Sequence, residues 1–154
     1  MSQNDSWYFS YGSNLSKQQM LIRTGSLPYS QPAFLANYRL AFRQVLNSNE
    51  VYATILPSQN ATVRGVAYLC SPHAMERLDV AEGISEKCYR RESVRVTTNT
   101  EQQLTCLVYI GESFETTDAR PSPDYLNTIL TGAAEHQLPV DYIKSILEQA
   151  NLPL

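Results

Sequence analysis

Glu82 is the residue of this chain whose type and position best suit proton transfer. It closes the helical stretch that begins at Pro72, and at about 100° per residue Met75, Leu78 and Glu82 fall in one narrow stripe. The stripe that should face a core therefore ends in a carboxylate, while Glu76 and Arg77 point elsewhere. Burial disfavours the ionised form and raises such a carboxyl from about 4.3 towards neutrality. A group tuned in that way can act first as general base and then as general acid near pH 7. An acid is also poorly placed against the dipole at a helix C-terminus. The same position fits a solvated Glu at a frayed helix end, so the stripe alone leaves both readings open.

A second constellation stands near the start. Tyr8-Phe9-Ser10 reads as a strand running into Tyr11-Gly12-Ser13-Asn14-Leu15, after which Ser16-Lys17-Gln18-Gln19 opens a helix. Ser16 with Gln19 forms a capping-box pattern. Gly12, Ser13 and Asn14 tolerate unusual backbone angles and bring N–H groups close to a ligand. A loop of this kind at a helix start can seat a carboxylate or a developing oxyanion. It is equally the composition of an ordinary tight turn. Tyrosine usage adds a third signal: ten among 154 residues, with Tyr89 opening the strand after Glu82 and Tyr125 in the first turn of a helix. A Tyr packs its ring inside and offers its hydroxyl to a substrate or carboxylate, although core packing alone also accounts for each.

Stepping outward, the elements that must hold these groups alternate strand and helix. The helix around Ser16–Thr24 stops at Gly25. A strand at Ala33–Phe42 is followed by the turn Asn47–Glu50, a strand at Val51–Leu56 ended by Pro57, a turn at Asn60–Thr62 and a strand at Val63–Cys70. Closely spaced strands of this kind predict an antiparallel sheet curling towards a barrel. Ser71 and Pro72 open the helix that carries Glu82, and Gly83 ends it. Strands follow near Tyr89–Thr98 and Leu104–Ile110. Pro123 opens a helix over Asp124–Gln137, and a last helix from Val140 to Ala150 sets Val140, Ile143, Leu147 and Ala150 on one stripe.

Composition narrows the class. The length predicts a single α+β domain over residues 1–154, with enough chain to bury a core without disulfides or metal. Hydrophobic residues make up 43% and charged residues 18%, as in ordinary globular proteins. A net charge of −3 gives no electrostatic reason for nucleic acid or an anionic membrane as partner. The start carries no basic and apolar signal pattern, and no apolar stretch has membrane length, which predicts a cytoplasmic protein. Cys70, Cys88 and Cys106 match no metal or redox spacing and read as reduced core or near-core residues. His73 at a helix start and His136 near a helix end, where a partly positive imidazole is favoured, read as structural. No metal site is expected.

In order and spacing, these segments resemble the γ-glutamylcyclotransferase-like family. The resemblance rests on Tyr11-Gly12-Ser13-Asn14-Leu15, on Leu78-Asp79-Val80-Ala81-Glu82-Gly83, on Tyr89, and on Pro121-Ser122-Pro123-Asp124-Tyr125, with Gly132-Ala133 and Leu138-Pro139 in the C-terminal half. It spans roughly residues 7–152. It implies a small mixed, mainly antiparallel barrel-like sheet with flanking helices and no cofactor. It also implies release of 5-oxoproline from a small γ-glutamyl compound by a monomer or homodimer, within glutathione-type metabolism. Glu82 would be the catalytic acid/base, Tyr11, Gly12, Ser13, Asn14 and Leu15 would hold the γ-glutamyl group, and Tyr89 and Tyr125 would line the pocket. No Arg or Lys stands out as partner for a carboxylate on the leaving half. The leaving amine is therefore open among amino acid, peptide, alkylamine and acylated carrier. Two alternatives accompany this reading: a non-catalytic metabolite-binding module on the same fold, and a γ-glutamyl-removing step in a biosynthetic pathway.

Overall fold

A long two-stranded ribbon sets the frame of the computed structural model, which describes residues 4–151. The ends of the expected 1–154 domain, residues 1–3 and 152–154, lie outside the described residues. The chain runs β1 (Ser6–Ser10), a 3₁₀ turn (Ser13–Leu15), α1 (Lys17–Thr24), β2 (Tyr29–Val45), β3 (Val51–Cys70), α2 (Pro72–Ala81), β4 (Tyr89–Thr98), β5 (Gln103–Gly111), β6 (Phe114–Asp118), α3 (Pro123–Glu135) and α4 (Val140–Ala150).

The sheet order is β3-β1-β5-β4-β2-β6, and a further β2–β3 pairing closes five of these strands into a barrel. All pairings are antiparallel except β1 with β5, which run parallel at Tyr8 and Leu107. The mixed, mainly antiparallel barrel-like sheet with flanking helices is therefore present. Closure removes the free edges that an open sheet would leave. Phe9, Phe42, Ile55, Val63, Val66 and Val96 are fully buried in its core.

Several elements differ from expectation. Pro57 does not end a strand, because β3 runs on for 20 residues from Val51 to Cys70. The β2–β3 register slips between Ala36–Thr62 and Tyr38–Pro57. Asn37 (φ 65°) and Asn60 (φ 68°) turn the two strands there, and Asn37 Oδ1 accepts from the Asn60 amide at 3.1 Å. A bulge absorbs the proline and the expected turn while pairing resumes on both sides. β6, absent from the sequence reading, is a short and largely exposed edge strand whose burial pattern carries no alternation.

The stripe expected on α4 is rotated. Val140 is 67% exposed and Leu147 38%, while Ile146 and Ala150 are buried beside half-buried Tyr142 and Ile143. Residue spacing defines such a stripe only to within about one helical step, and contact with β2 and α3 selects the face. α1 and α2 begin as expected, with Ser16 Oγ accepting from Gln19 N (3.2 Å) and Ser71 Oγ from Ala74 N (3.1 Å). A cap of this type stabilises a helix by about 1 kcal/mol.

α3 docks its glycine directly on the 3₁₀ turn. A Cβ on Gly132 would come within 2.3 Å of Leu15 C and Ser16 N. No side chain fits there, and this close approach holds the turn against the barrel mouth.

Candidate active site

Glu82 caps α2 in helical geometry (φ −87°, ψ −1°), and Gly83 then turns the chain away at φ 66°. Met75 and Leu78 on the same stripe are buried, so the helix is pressed down along the line that carries the carboxylate inward. Asp79 fastens that end. Arg91 grips its carboxylate with hydrogen bonds of 2.7 and 2.5 Å, and the Tyr109 hydroxyl donates to it at 2.7 Å. The Glu82 side chain is only 15% exposed. Burial pushes its carboxyl above the usual value, while the Arg23 charge and the Asn14 hydrogen bond pull in the opposite direction.

Both partners of Glu82 reach the same oxygen. Asn14 Nδ2 donates to Oε1 at 3.0 Å, and Arg23 Nη1 approaches it at 3.4 Å. Oε1 is thus held, and among the described residues Oε2 is the oxygen without such donors. The inner chamber beside Glu82 is lined by Tyr8, Tyr11, Gly12, Ser13, Asn14 and Ala53, with Tyr89, Tyr109 and Tyr125 completing the wall. Its cavity volume is about 30 Å³, against about 320 Å³ for the wider vestibule outside it, where Gln19, Arg23, Tyr52 and Cys88 stand. A narrow inner chamber and a roomy outer one meet at Glu82.

The five tyrosines of the wall have their hydroxyls committed, that of Tyr109 to Asp79 as described above. Tyr8 accepts from Asn14 Nδ2 at 2.9 Å, and Tyr11 donates to the Tyr109 carbonyl at 2.5 Å. Tyr89 donates to Ala53 O at 2.6 Å, while Tyr125 accepts from Ala53 N at 3.0 Å. Burial raises all five phenols, so they stay protonated at neutral pH and cannot serve as bases. Glu82 is the one carboxylate among the residues lining the chamber.

Of the residues singled out in the sequence, Tyr11, Gly12, Ser13, Asn14, Glu82, Tyr89 and Tyr125 come together around one chamber. Leu15 does not join them: its side chain is fully buried, and its backbone lies under Gly132. The 3₁₀ bonds run from Leu15 N to Gly12 O and from Ser16 N to Ser13 O. The amides of Gly12, Ser13 and Asn14 therefore precede the first bonded amide of the turn, as at any helix N-terminus.

The capping box forms only in half. The Gln19 side chain leaves the Ser16 amide, and its Nε2 binds Ser13 Oγ (2.6 Å) and Asn14 Oδ1 (2.9 Å) instead. Arg23, Gln19, Tyr8 and Tyr109 were missed as site residues. Gln19 and Arg23 stand four apart on α1, a spacing that shares one helix face, and that was the legible signal.

His136 lies away from the chamber. It is buried at the end of α3, its Nε2 lies 3.2 Å from the Tyr68 hydroxyl, and burial lowers its pKa. Burial outweighs the helix-end preference for a charged ring. The three cysteines are free thiols, Cys70 and Cys106 buried and Cys88 half-buried at the vestibule, in agreement with the sequence reading. No group of three or more potential metal ligands occurs among the described residues. None of the described helices is long and apolar enough to cross a membrane.

Known proteins share the sequence pattern and fold of this chain. Residues 62–146 match the AIG2-like family. The gamma-glutamylcyclotransferase of Homo sapiens is 31% identical over 140 residues, covering 88% of this chain and 73% of the relative; that of Bos taurus is 31% identical over 144 residues, covering 90% and 76%. A solved gamma-glutamyl cyclotransferase structure superposes with a TM-score of 0.85 at 29% identity, covering 93% of this chain and 86% of that one.

Proposed function

The chain belongs to the gamma-glutamylcyclotransferase branch of the AIG2-like family, and from that premise we propose how its own residues turn a γ-glutamyl compound into 5-oxoproline and a free amine. The observation that carries the reading is a buried carboxylate with one oxygen held and one free, at the junction of a narrow and a wide chamber.

A γ-glutamyl amide contains its own nucleophile, since attack of the α-amine on the γ-carbonyl closes a five-membered ring. No Ser or Cys is required. Glu82 Oε2 takes a proton from the α-ammonium, the freed nitrogen attacks the γ-carbon, and the carbonyl electrons move onto oxygen. When the carbonyl re-forms, the bond to the leaving nitrogen breaks and that nitrogen is protonated. Two protons pass in all from the attacking to the departing nitrogen, relayed in turn by one carboxyl that is first base and then acid. Holding the two reacting centres together contributes up to about 7–11 kcal/mol in favourable systems, and one oxyanion donor about 2.7–4 kcal/mol. The amides of Gly12, Ser13 and Asn14 serve either the oxyanion or the α-carboxylate. Tyr89 and Tyr125 shape the chamber around the γ-glutamyl carbons.

The leaving amine then occupies the vestibule. Arg23 is the cation lining it, which supports a leaving group that bears a carboxylate, as amino acids and peptides do. Cytoplasmic placement, a role in glutathione metabolism, a monomeric or homodimeric state and the absence of nucleic-acid and membrane partners belong to the same reading; the net charge of −3 and three free thiols support it.

The test is mass-spectrometric detection of 5-oxoproline from γ-glutamyl dipeptides, glutathione and γ-glutamyl alkylamines, with Glu82→Gln as control. Product that disappears in the control is expected. Arg23→Met should lower turnover of every class through its contact with Glu82, and should raise KM for the dipeptides more than for the alkylamines. Equal turnover by Glu82→Gln would sink the mechanism.

A further inference from the structure

The Asn14 carboxamide has all four of its hydrogen-bonding places filled. Its oxygen accepts from Gln19 Nε2 at 2.9 Å and from Arg23 Nη1 at 3.0 Å. Its nitrogen donates to the Tyr8 hydroxyl at 2.9 Å and to Glu82 Oε1 at 3.0 Å. An amide offers two donors and two lone pairs, so no place remains. Asn14 is 2% exposed, and water has little room to substitute for any partner.

The direction of this amide matters to Glu82. Turned over, its oxygen would face a carboxylate and its NH₂ would face two other donors. The penalty for such a flip comes from the oxygen side, where Gln19 and Arg23 can only donate. Arg23 touches Glu82 itself. Gln19 has no hydrogen bond to Glu82 and lies outside the inner chamber, on the first turn of α1. Its nitrogen spans Ser13 Oγ and Asn14 Oδ1, tying the loop and the amide to a helix.

We propose that Gln19 is a positioning residue for the cyclisation: by holding the Asn14 carboxamide from its oxygen side, it aims Asn14 Nδ2 at Glu82 Oε1 and reserves Oε2 for the travelling proton. This rests on the cyclotransferase reading above and extends it to a residue outside the chamber. Without Gln19 the amide is free to rotate, Oε1 loses a fixed donor, and the carboxyl no longer presents one oxygen to the α-amine. The ionisable neighbours of Glu82 are Arg23 from α1, Tyr8 from β1, Tyr11, Cys88, Tyr89 at the start of β4, and Tyr125 from α3. The phenols and the thiol are raised by burial and stay neutral, which leaves Arg23 as the one competing charge.

Gln19→Met removes both donors at nearly the same length and keeps a good helix former. In that variant kcat is expected to fall about tenfold with KM within about twofold, because small misplacements of a reacting group are costly. The acid limb of the kcat–pH profile should move to higher pH, since a lost hydrogen bond to the carboxylate weakens its ionised form. Combined with Asn14→Ala, the substitution should add no further loss, a result that a merely structural role would not produce. Gln19→Glu, which sets a carboxylate oxygen against Asn14 Oδ1, serves as a second variant and should lower kcat at least as far.

The Glu82 carboxyl titration, followed by ¹³C NMR in native protein and in both variants, provides a readout independent of turnover. An upward shift in both variants supports the proposal. Active native protein with unshifted titration and unchanged kcat in the folded variants overturns it alone. Inactive native protein with shifted titrations overturns the cyclotransferase reading and leaves the Gln19–Asn14–Glu82 chain standing.

Discussion

Asn14 and Glu82 stand 68 residues apart in the chain, and their side chains meet at 3.0 Å. One sits in the turn before α1 and the other at the end of α2, so the packing of these two helices brings them together. The contact lowers the cost of keeping a carboxylate in a buried place, because an amide donor replaces water that burial removed. It does not cancel that cost, as the raised pKa of Glu82 shows. A carboxyl that is both stabilised and still basic is suited to proton transfer in two directions.

Glu82→Gln should retain the fold and lose 5-oxoproline formation by a factor of about 10²–10⁴, the usual contribution of a positioned acid–base group. Far-ultraviolet circular dichroism and product mass spectrometry together check it. Because Gln is near-isosteric, loss of secondary structure would mean that the carboxylate is needed for folding rather than for chemistry.

Stability and activity should respond to pH in opposite directions through Glu82. Its carboxyl is raised in the folded state, so the folded protein binds its proton more tightly than the unfolded chain does. The stability this contributes is complete below the unfolded value of about 4.3 and is lost as pH rises through the raised folded value. Activity needs the ionised base and rises over that same window. Denaturant midpoints from pH 4 to 8 should fall less in Glu82→Gln than in the native protein.

His136 should act with the opposite sign. Burial lowers its pKa from 6.5, so the unfolded chain binds the proton more readily. Its contribution is present above about 6.5 and is lost as pH falls through the folded value. Thermal midpoints measured at pH 7.5 and 5.5 should converge in His136→Gln, and an unchanged difference would remove His136 as the cause.

Tyr125→Phe should act on stability more than on chemistry. The Tyr125 hydroxyl accepts from the Ala53 amide at 3.0 Å, while Tyr89 holds the carbonyl of the same residue. Losing that acceptor leaves a buried N–H unpaired, at a cost of about 1–3 kcal/mol. Urea unfolding measures it; a large fall in kcat with unchanged stability would instead put the hydroxyl on the substrate.

Gly132→Ala should be among the most damaging single-methyl additions. The new Cβ would lie 2.3–2.6 Å from backbone atoms of Leu15 and Ser16, and backbone cannot swing aside as a side chain tip can. Overpacking typically costs about 1–3 kcal/mol, occasionally more. The substitution should also shift the Gly12–Asn14 turn, so kcat should drop together with the midpoint.

Local order was legible in the residues themselves. Ser16, Ser71 and the Ser122–Pro123 pair start their helices where side-chain oxygen and ring geometry dictate, and Gly25 and Gly83 end theirs in positive φ. The stripe Met75–Leu78–Glu82 aimed a carboxylate inward, and burial of its apolar members drives it there. These are signals of a few residues' range, written in propensity and periodicity. Contacts across the fold had no such writing. Pro57 reads as a strand end until β2 supplies a partner that carries the pairing past it. Leu15 reads as loop until α3 covers it, and Gln19 reads as half of a capping box until Ser13 and Asn14 offer acceptors to its Nε2. Arg23 is one surface cation among many until α1 lies beside α2 and sets it at the mouth of the cleft. The sequence alone determined where the helices start and stop and which carboxylate lies on an apolar stripe. Barrel closure and helix docking, whose free energy comes from apolar surface shared between distant segments, decided what that carboxylate meets.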